Sequence, residues 1–464
     1  MPQQAGKKRK KTLQNFVITI FIFAVIAGIP WMLLRYQAQK SGMPVSEVIQ
    51  RKFRRNNTSN VATTSGEAGA KIDFLTPSQI GQSFTDPPLI SNIQAADLDK
   101  DGLEDVIVCD ARGNFVSVIR QSPAGQFTER VLASDLIAPA HASVDDFDMD
   151  GDNDILIAVL GMLFPNNDKI GSVVILENTG AGFIKHTVLE KVARVSDVRA
   201  GDLDNDGDKD LAVAQFGYDD GETRWMENKG NWKFESHVLQ NLSGPINTEI
   251  YDYDSDGDPD IVSLASQEWE EIWCFVNDGK GKFTPKLLWG SSNEDFGSSG
   301  IYTCDLDKDG DYDILYTNGD AFDYIPPAPR PWHGVNWLEN KGNLNFEYHR
   351  IGDFAGAYNA RPVDIDKDGD NDIFVVSGFN LWDKPESRSF IWFENSGNMQ
   401  FIKHDISSVP THLLTLEAAD FNKDGEMDFV TGGMHPYPPY DRMGRVTLWM
   451  NKGYQNSTTA STGQ

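Results

Sequence analysis

The chain has 464 residues, of which 69 are acidic and 41 basic, for a formal net charge of −28. That excess of acid, with no basic stripe in the repeating part of the sequence, excludes nucleic acid as a partner. Three cysteines (Cys109, Cys274 and Cys304) are odd in number and spaced for neither zinc nor haem attachment, so they read as small buried hydrophobes.

Residues 1–11 form a basic N-terminus that ends in Lys-Lys-Arg-Lys-Lys. No charge follows from Thr12 to Leu34, a run rich in Phe, Ile, Val, Leu and Ala. At about 1.5 Å per helical residue, 12–34 is long enough to cross the hydrocarbon core as a transmembrane helix. The alternative is a cleaved signal peptide. The run is long for one and no A-x-A site follows, which favours an uncleaved signal-anchor. Five basic residues precede the span, while Arg35 and Lys40 alone follow closely. The positive-inside rule thus predicts a single-pass membrane protein with a cytoplasmic N-terminus and the remainder periplasmic or extracellular. A second basic cluster at Arg51, Lys52, Arg54 and Arg55 acts against that orientation. Residues 35–70 read as a juxtamembrane segment and flexible linker. Within them 44–55 suit a short amphipathic helix, lying on the membrane or simply solvated. Residues 455–464 read as a disordered tail.

Between linker and tail, 71–454 is one repeating domain. Its signature is D-x-D-x-D-G-x-x-D, seven copies whose starts lie 49 to 59 residues apart. The four ligand positions are Asp97, Asp99, Asp101 and Asp105; Asp146, Asp148, Asp150 and Asp154; Asp202, Asp204, Asp206 and Asp210; Asp252, Asp254, Asp256 and Asp260; Asp305, Asp307, Asp309 and Asp313; Asp364, Asp366, Asp368 and Asp372; and Asp420, Asn422, Asp424 and Asp428, where Asn422 replaces an Asp and offers an amide oxygen. Carboxylates at positions 1, 3 and 5 of a tight curl converge on one point, and Gly at position 6 permits the turn, which is the chemistry of a hard cation. An EF-hand would need Glu at position 12, where the first two copies have Val108 and Ile157. The Asp at position 9 closes the site instead, and a strand follows. Up to seven structural Ca²⁺ ions are expected. With position 7 included, the motifs hold 33 of the 69 acids, so the acidity is largely an ion-binding feature.

The third copy shows the whole unit. A strand at 195–200 leads into the loop, a second follows at 211–215, and a variable loop at 217–222 leads to a third at 223–227. The hairpin Asn228-Lys-Gly-Asn-Trp-Lys-Phe234 then turns into a fourth strand. Four short antiparallel strands in each of seven units predict an all-β, seven-bladed β-propeller behind the N-terminal transmembrane helix. The seventh unit lacks a fourth strand, and the spare segment Lys71–Thr76 is expected to supply it.

The D-x-D-x-D-G-x-x-D loops with W-x-E-N-x-G hairpins resemble the FG-GAP/VCBS repeat family, which includes the integrin α N-terminal propeller. The resemblance covers about 380 residues. It implies calcium on one face of the ring and, commonly, adhesion or ligand binding. Some bacterial relatives are sugar lyases or dehydratases. The Gly-Ala-Pro half of the signature is missing, with Phe216-Gly217 the nearest trace of its first half, and more calcium loops are present than integrins carry.

In such a blade the metal loop and the Asn-Gly hairpin share one face. The variable loops share the other, where a ligand site belongs. With period 2, the residues five and three before each first motif Asp face the axial channel. They include His141, Arg199, Glu249, Tyr302 and Arg361, which are the catalytic candidates, together with Asn92, Gln94, Ser143, Asp197, Asn247, Asn359, Thr415 and Glu417. His186, His237, His349 and His404 recur with the hairpins and read as structural. His141, His333, His412 and His435 break the repeat. Phe322, Tyr324, Trp332, Trp382, Tyr437 and Tyr440 concentrate aromatic surface on the loop face, suited to sugar or protein contact. The leading expectation is a membrane-anchored module that binds a glycan or protein on its non-calcium face. The alternatives are a sugar-processing lyase or dehydratase with an axial site, or a scaffold subunit of a membrane complex. No G-x-S-x-G, H-E-x-x-H, P-loop or C-x-x-C-H motif occurs.

Overall fold

The computed structural model describes residues 74–454 apart from 325, together with Arg35 and Val45, both helical. The expected membrane span, most of the linker and the tail lie outside the described residues. Among the described residues no helix is long and apolar enough to cross a membrane.

Seven four-stranded antiparallel sheets follow one another along 75–451, and in six of them strand order is chain order. The third blade runs Val195–Gly201, Asp210–Gln215, Glu222–Asn228 and Phe234–Asn241, within about two residues of the expected unit. The seventh is completed from the other end of the chain. Leu75–Gln79 pairs antiparallel with Val446–Asn451, from Leu75 opposite Asn451 to Gln79 opposite Thr447. The closing strand therefore exists but begins later than the expected Lys71–Thr76, and residues 71–73 are not described. A cysteine-free clasp reinforces this join. The guanidinium of Arg445 in blade seven holds Glu129 of blade one bidentately at 2.8 Å and reaches Asp110 at 3.2 Å, all with buried side chains.

Second strands such as Asp154–Val159 and Asp210–Gln215 are buried at every residue, as a strand sandwiched between two neighbouring blades must be. The apolar cores accordingly lie between blades. Ile107, Val116 and Val118 of blade one pack with Ala142, Ile155 and Ile157 of blade two, and Phe374 and Trp392 of blade six pack with Phe429 and Trp449 of blade seven. Cys109 and Cys274 are buried and Cys304 partly so, all as free thiols pushed up by burial.

Each inner strand carries a bulge against its second strand, at Ser91, Ala140, Ser196, Ile246, Ser299, Tyr358 and Leu414 in turn. After the bulge the alternation holds. Ile93, Ala142, Val198, Thr248, Ile301, Ala360 and Leu416 are all buried between blades.

Candidate functional site

The metal loops are built by their own side chains. Position 4, whether Lys100, Met149, Asn205, Ser255, Lys308, Lys367 or Lys423, has φ between 58° and 62°. L-residues pay for this left-handed conformation, roughly 1–2 kcal/mol each, so the loop imposes it. The glycine at position 6 follows with φ of 85° in Gly102 and 101° in Gly369. One oxygen of the position-1 carboxylate accepts that glycine's N–H, at 2.8 Å from Gly102 to Asp97 and 3.1 Å from Gly207 to Asp202. Position 3 accepts from the N–H of position 5, and position 5 from that of position 7, as in Asp204, Asp206 and Asp208. Carboxylate oxygens of positions 1, 3 and 5 then come within 4.8 Å of one another in Asp97/Asp99/Asp101, Asp146/Asp148/Asp150 and Asp202/Asp204/Asp206. The second oxygen Oδ1 of Asp97, Asp202, Asp305 and Asp364 is buried with no hydrogen-bond donor among the described residues. Converging oxygens, some of them buried and lacking a donor, are a donor set that fits Ca²⁺.

The position-9 carboxylates do something else first. Asp154 accepts the N–H of Phe147 from its own loop at 3.0 Å and that of Asn178 from its hairpin at 2.7 Å. Asp210, Asp260, Asp313, Asp372 and Asp428 repeat this pair of bonds. In the three converging clusters above, position 9 stands outside the convergence. Burial pushes these acids up, to about 6 in Asp154 and about 7 in Asp313, with backbone N–H groups pulling the other way. The hairpin Asn then links neighbours: Asn178 donates to Leu98 O in blade one at 3.1 Å, and Asn277 to Leu203 O in blade three at 2.8 Å. The recurrent histidines finish four of the blades. His237 stacks on Trp225 with centroids 4.6 Å apart and bonds Glu227 at 3.2 Å, and His349 and His404 repeat the arrangement with Glu339 and Glu394. Glu227/Glu235/His237 and Glu339/Glu347/His349 also converge, but Lys229 and Lys341 already pair with Glu227 and Glu339.

On the axis, the inner strands enclose a cavity of about 400 Å³. All five catalytic candidates line it. Most of them are tied to one another. Arg361 gives Nε and Nη2 to Glu417, at 3.1 and 2.6 Å, and Nη1 to Asn359 at 2.7 Å, while lying 4.6 Å above the Tyr302 ring. Nδ1 of His141 is 2.9 Å from Asp197, and Arg199 lies 3.4 Å from both Asp197 and Glu249. Alternation sets Arg199 and Glu249 at one level of the channel on neighbouring blades, each three residues before its motif. Burial alone would raise Asp197, but Arg199 and His141 outweigh it and hold the carboxyl down at about 2. Burial lowers His141, and it pushes Glu249 up to about 7 against the pull of Arg199. Glu249 is therefore the candidate that titrates near neutrality. Several polar residues of the ring also stitch inner strands together: Asn92 accepts Ala142 N–H at 3.1 Å, Asp197 accepts Thr248 N–H at 3.0 Å, and Thr415 accepts Ile93 N–H at 3.2 Å.

Of the six loop aromatics, Phe322 lines the cavity. Trp382 is buried and donates to His412 at 3.0 Å, Trp332 donates to Asp295 O, and Tyr324 lies under Arg330. His333, His412 and His435 are buried, and burial lowers them to about 4, 3 and 4. Phe322 is joined in the lining by Phe164, Phe216 and Tyr358. All seven bulge residues also line the cavity, a layer that strict alternation assigns to the blade interfaces. Arg194, Asp320 and Asp323 complete the rim. Aligning the repeats could have exposed Arg194: it stands eight residues before the motif, where the other copies have Leu89, Ala138, Gly244, Gly297, Gly356 and His412.

The family model of an FG-GAP-like repeat matches residues 97–157, 146–213, 202–263 and 252–316. Among curated proteins none matches. Solved structures similar to the chain include virginiamycin B lyase from Staphylococcus aureus, with a TM-score of 0.49 and 12% identity over 81% of this chain and 98% of that one. BBS1N in complex with ARL6DN follows at a TM-score of 0.45 and 10% identity, over 81% and 95%. Rhamnogalacturonan lyase YesW has a TM-score of 0.45 and 14% identity, over 85% and 75%. Likenesses at this level say nothing about ligand or activity.

Proposed function

This chain is an FG-GAP-like repeat propeller, and from that footing we propose that it is a calcium-stabilised binding module whose ligand, a carbohydrate, enters the axial cavity on the face away from the metal loops. The observation that carries the reading is the cavity lining. Amides, hydroxyls and paired charges surround a space of about 400 Å³, and Phe164, Phe216 and Phe322 share its lining. A few polar groups that fix hydroxyls, beneath aromatic faces that stack on sugar rings, are what such a ligand needs, and the volume falls in the range of small-molecule sites. A protein partner would call for an open surface instead. The charge-free segment 12–34 serves in this reading as the membrane anchor, with the propeller held outside the cytoplasm.

The test is carbohydrate-array binding by the full chain with calcium present, repeated on Ala140→Trp, which fills the cavity from its wall. Binding by the parent and its loss in the variant are expected. Equal binding by both would move the site elsewhere, and no binding by the parent would sink the reading.

One observation favours turnover as a second reading. Glu249, buried and pushed up to about 7, can exchange a proton at neutral pH beside Arg199. If the cavity is catalytic, as in a lyase or dehydratase, Glu249→Gln keeps the ligand bound and stops its conversion. A parent chain that binds and never converts its ligand removes this reading.

A further inference from the structure

The proposed carbohydrate site contains a cation that makes no ion pair among the described residues. Arg194 lies in the cavity wall and is 1% exposed. Its Nη1 donates to two backbone carbonyls, Phe164 O at 3.0 Å and Leu163 O at 3.3 Å, and its guanidinium sits 4.7 Å from the Phe216 ring centroid. Nε and Nη2 are both buried and have no partner among the described residues. These two nitrogens form one edge of the guanidinium, with parallel N–H bonds spaced to take both oxygens of a carboxylate. An uncompensated buried charge is among the costliest features a fold can retain.

The other cavity arginines are not in this position. Arg361 spends the same edge, Nε and Nη2, on Glu417, and Arg199 lies between Asp197 and Glu249. Arg445, outside the cavity, is held by Glu129 and Asp110. At the equivalent place Ala138, Gly244, Gly297, Gly356 and His412 all have positive φ, while Leu89 and Arg194 do not, and of those two only Arg194 carries a charge. Asp323 attracts Arg194 but makes no ion pair with it. Burial raises Asp323 and lifts Asp320 to about 7, so the rim acids repel an anion less than ordinary carboxylates would.

Building on the carbohydrate reading above, we propose that the ligand is an acidic saccharide, a uronate-containing glycan, whose carboxylate completes the open edge of Arg194. The remaining hydroxyls meet the amides and hydroxyls of the inner ring. Entry brings the carboxylate past Phe164, which is half exposed at the rim.

The experiment is calorimetric titration of the full chain, with calcium present, against a galacturonate trimer, a galactose trimer and a sulfated galactose trimer. The uronate is expected to bind at least about 30-fold more tightly than the neutral trimer, the effect of one buried charge-assisted pair. Arg194→Met should bring the two to parity while leaving the melting temperature unchanged or higher, because it removes an unpaired buried charge. Arg194→Lys keeps the charge without the fork and should lose about tenfold or more of the preference. Equal affinity for uronate and neutral trimers overturns the acidic assignment and leaves the carbohydrate reading standing. Tighter binding of the sulfated trimer overturns the carboxylate. A lowered melting temperature in Arg194→Met with the uronate preference intact makes Arg194 structural. If no trimer binds, the carbohydrate reading falls, and this one with it.

Discussion

On the metal-loop face, seven blades repeat one arrangement. A left-handed residue sits at position 4, a glycine N–H meets the first Asp, and a buried position-9 Asp bridges loop and hairpin. On the opposite face the blades diverge: Arg194 stands where a glycine does in three other copies, Glu270 is unique to blade four, and the loop after blade five's second strand runs from 319 to 333. Both faces hang from the same strands, so the difference does not come from the scaffold. Repetition marks what every blade must do to remain a blade, while departure from it marks what the ring does as a whole. On the reading proposed above, the carboxylates of the acidic-loop face serve stability, and the buried charges around the cavity serve a ligand or the closing of the ring.

The hardest blow to this division would come from the proposed calcium. A loop held at ten times its Kd adds about 1.4 kcal/mol, so seven occupied loops contribute about 10 kcal/mol, comparable with the whole stability of a typical domain. Chelation should lower the melting temperature of the full chain by tens of degrees or unfold it, and calcium should restore it. A melt indifferent to chelator would show that the repeated face holds itself together by hydrogen bonds alone.

Two buried arginines offer the next test, because one substitution should act on them very unequally. Arg445→Met leaves Glu129 and Asp110 buried without their cation at the join between blades seven and one, and should cost about 3–5 kcal/mol in denaturant unfolding. Arg194→Met, with no carboxylate left behind, should cost nothing. Equal losses at both positions would mean that the wall of the cavity is merely another seam.

How far this division could be read from the residues depends on periodicity. The third blade's strands, the loop positions and the Arg199–Glu249 pair follow from spacing alone, since each is fixed by an alternation or a recurring motif. The closing strand was displaced because Thr76-Pro-Ser-Gln79 pairs along one edge with its polar side chains outward, so no apolar alternation marks it. The positive φ at position 4 is carried by Lys, Met, Asn and Ser, whose identities do not announce it. The bulge at Ser91 and its counterparts shifts side-chain direction within a strand, and a period-2 reading has no means of detecting that. The same alternation sets Arg361 level with Glu417 and His141 level with Asp197 on the next blade, so those contacts are legible too, although the spacing does not give their geometry.

The smallest expected effect lies at Glu270, an acid of the irregular face that no repeat requires. Its side chain accepts the N–H groups of Gly297 at 3.1 Å and Ser298 at 3.0 Å and contacts the Ser298 hydroxyl, which in turn meets Tyr316. Burial pushes it up to about 8 despite these bonds. The folded state therefore holds this proton more tightly than the unfolded chain, whose Glu titrates near 4.5. Between those values the folded protein carries more protons, so stability falls as pH rises, fully present below about 4.5 and lost on passing about 8. Near neutral pH, at saturating calcium, the parent's stability should fall with rising pH more steeply than that of Glu270→Gln, by about one proton. The three buried histidines on this face act in the opposite direction. Their lowered values make stability fall as pH drops from about 6.5 towards 4, and that acid limb should be the same in both proteins. Unfolding free energies across pH 5 to 9 would separate the two limbs, and a neutral-range slope unchanged by the substitution would mean that Glu270 is ionised in the fold.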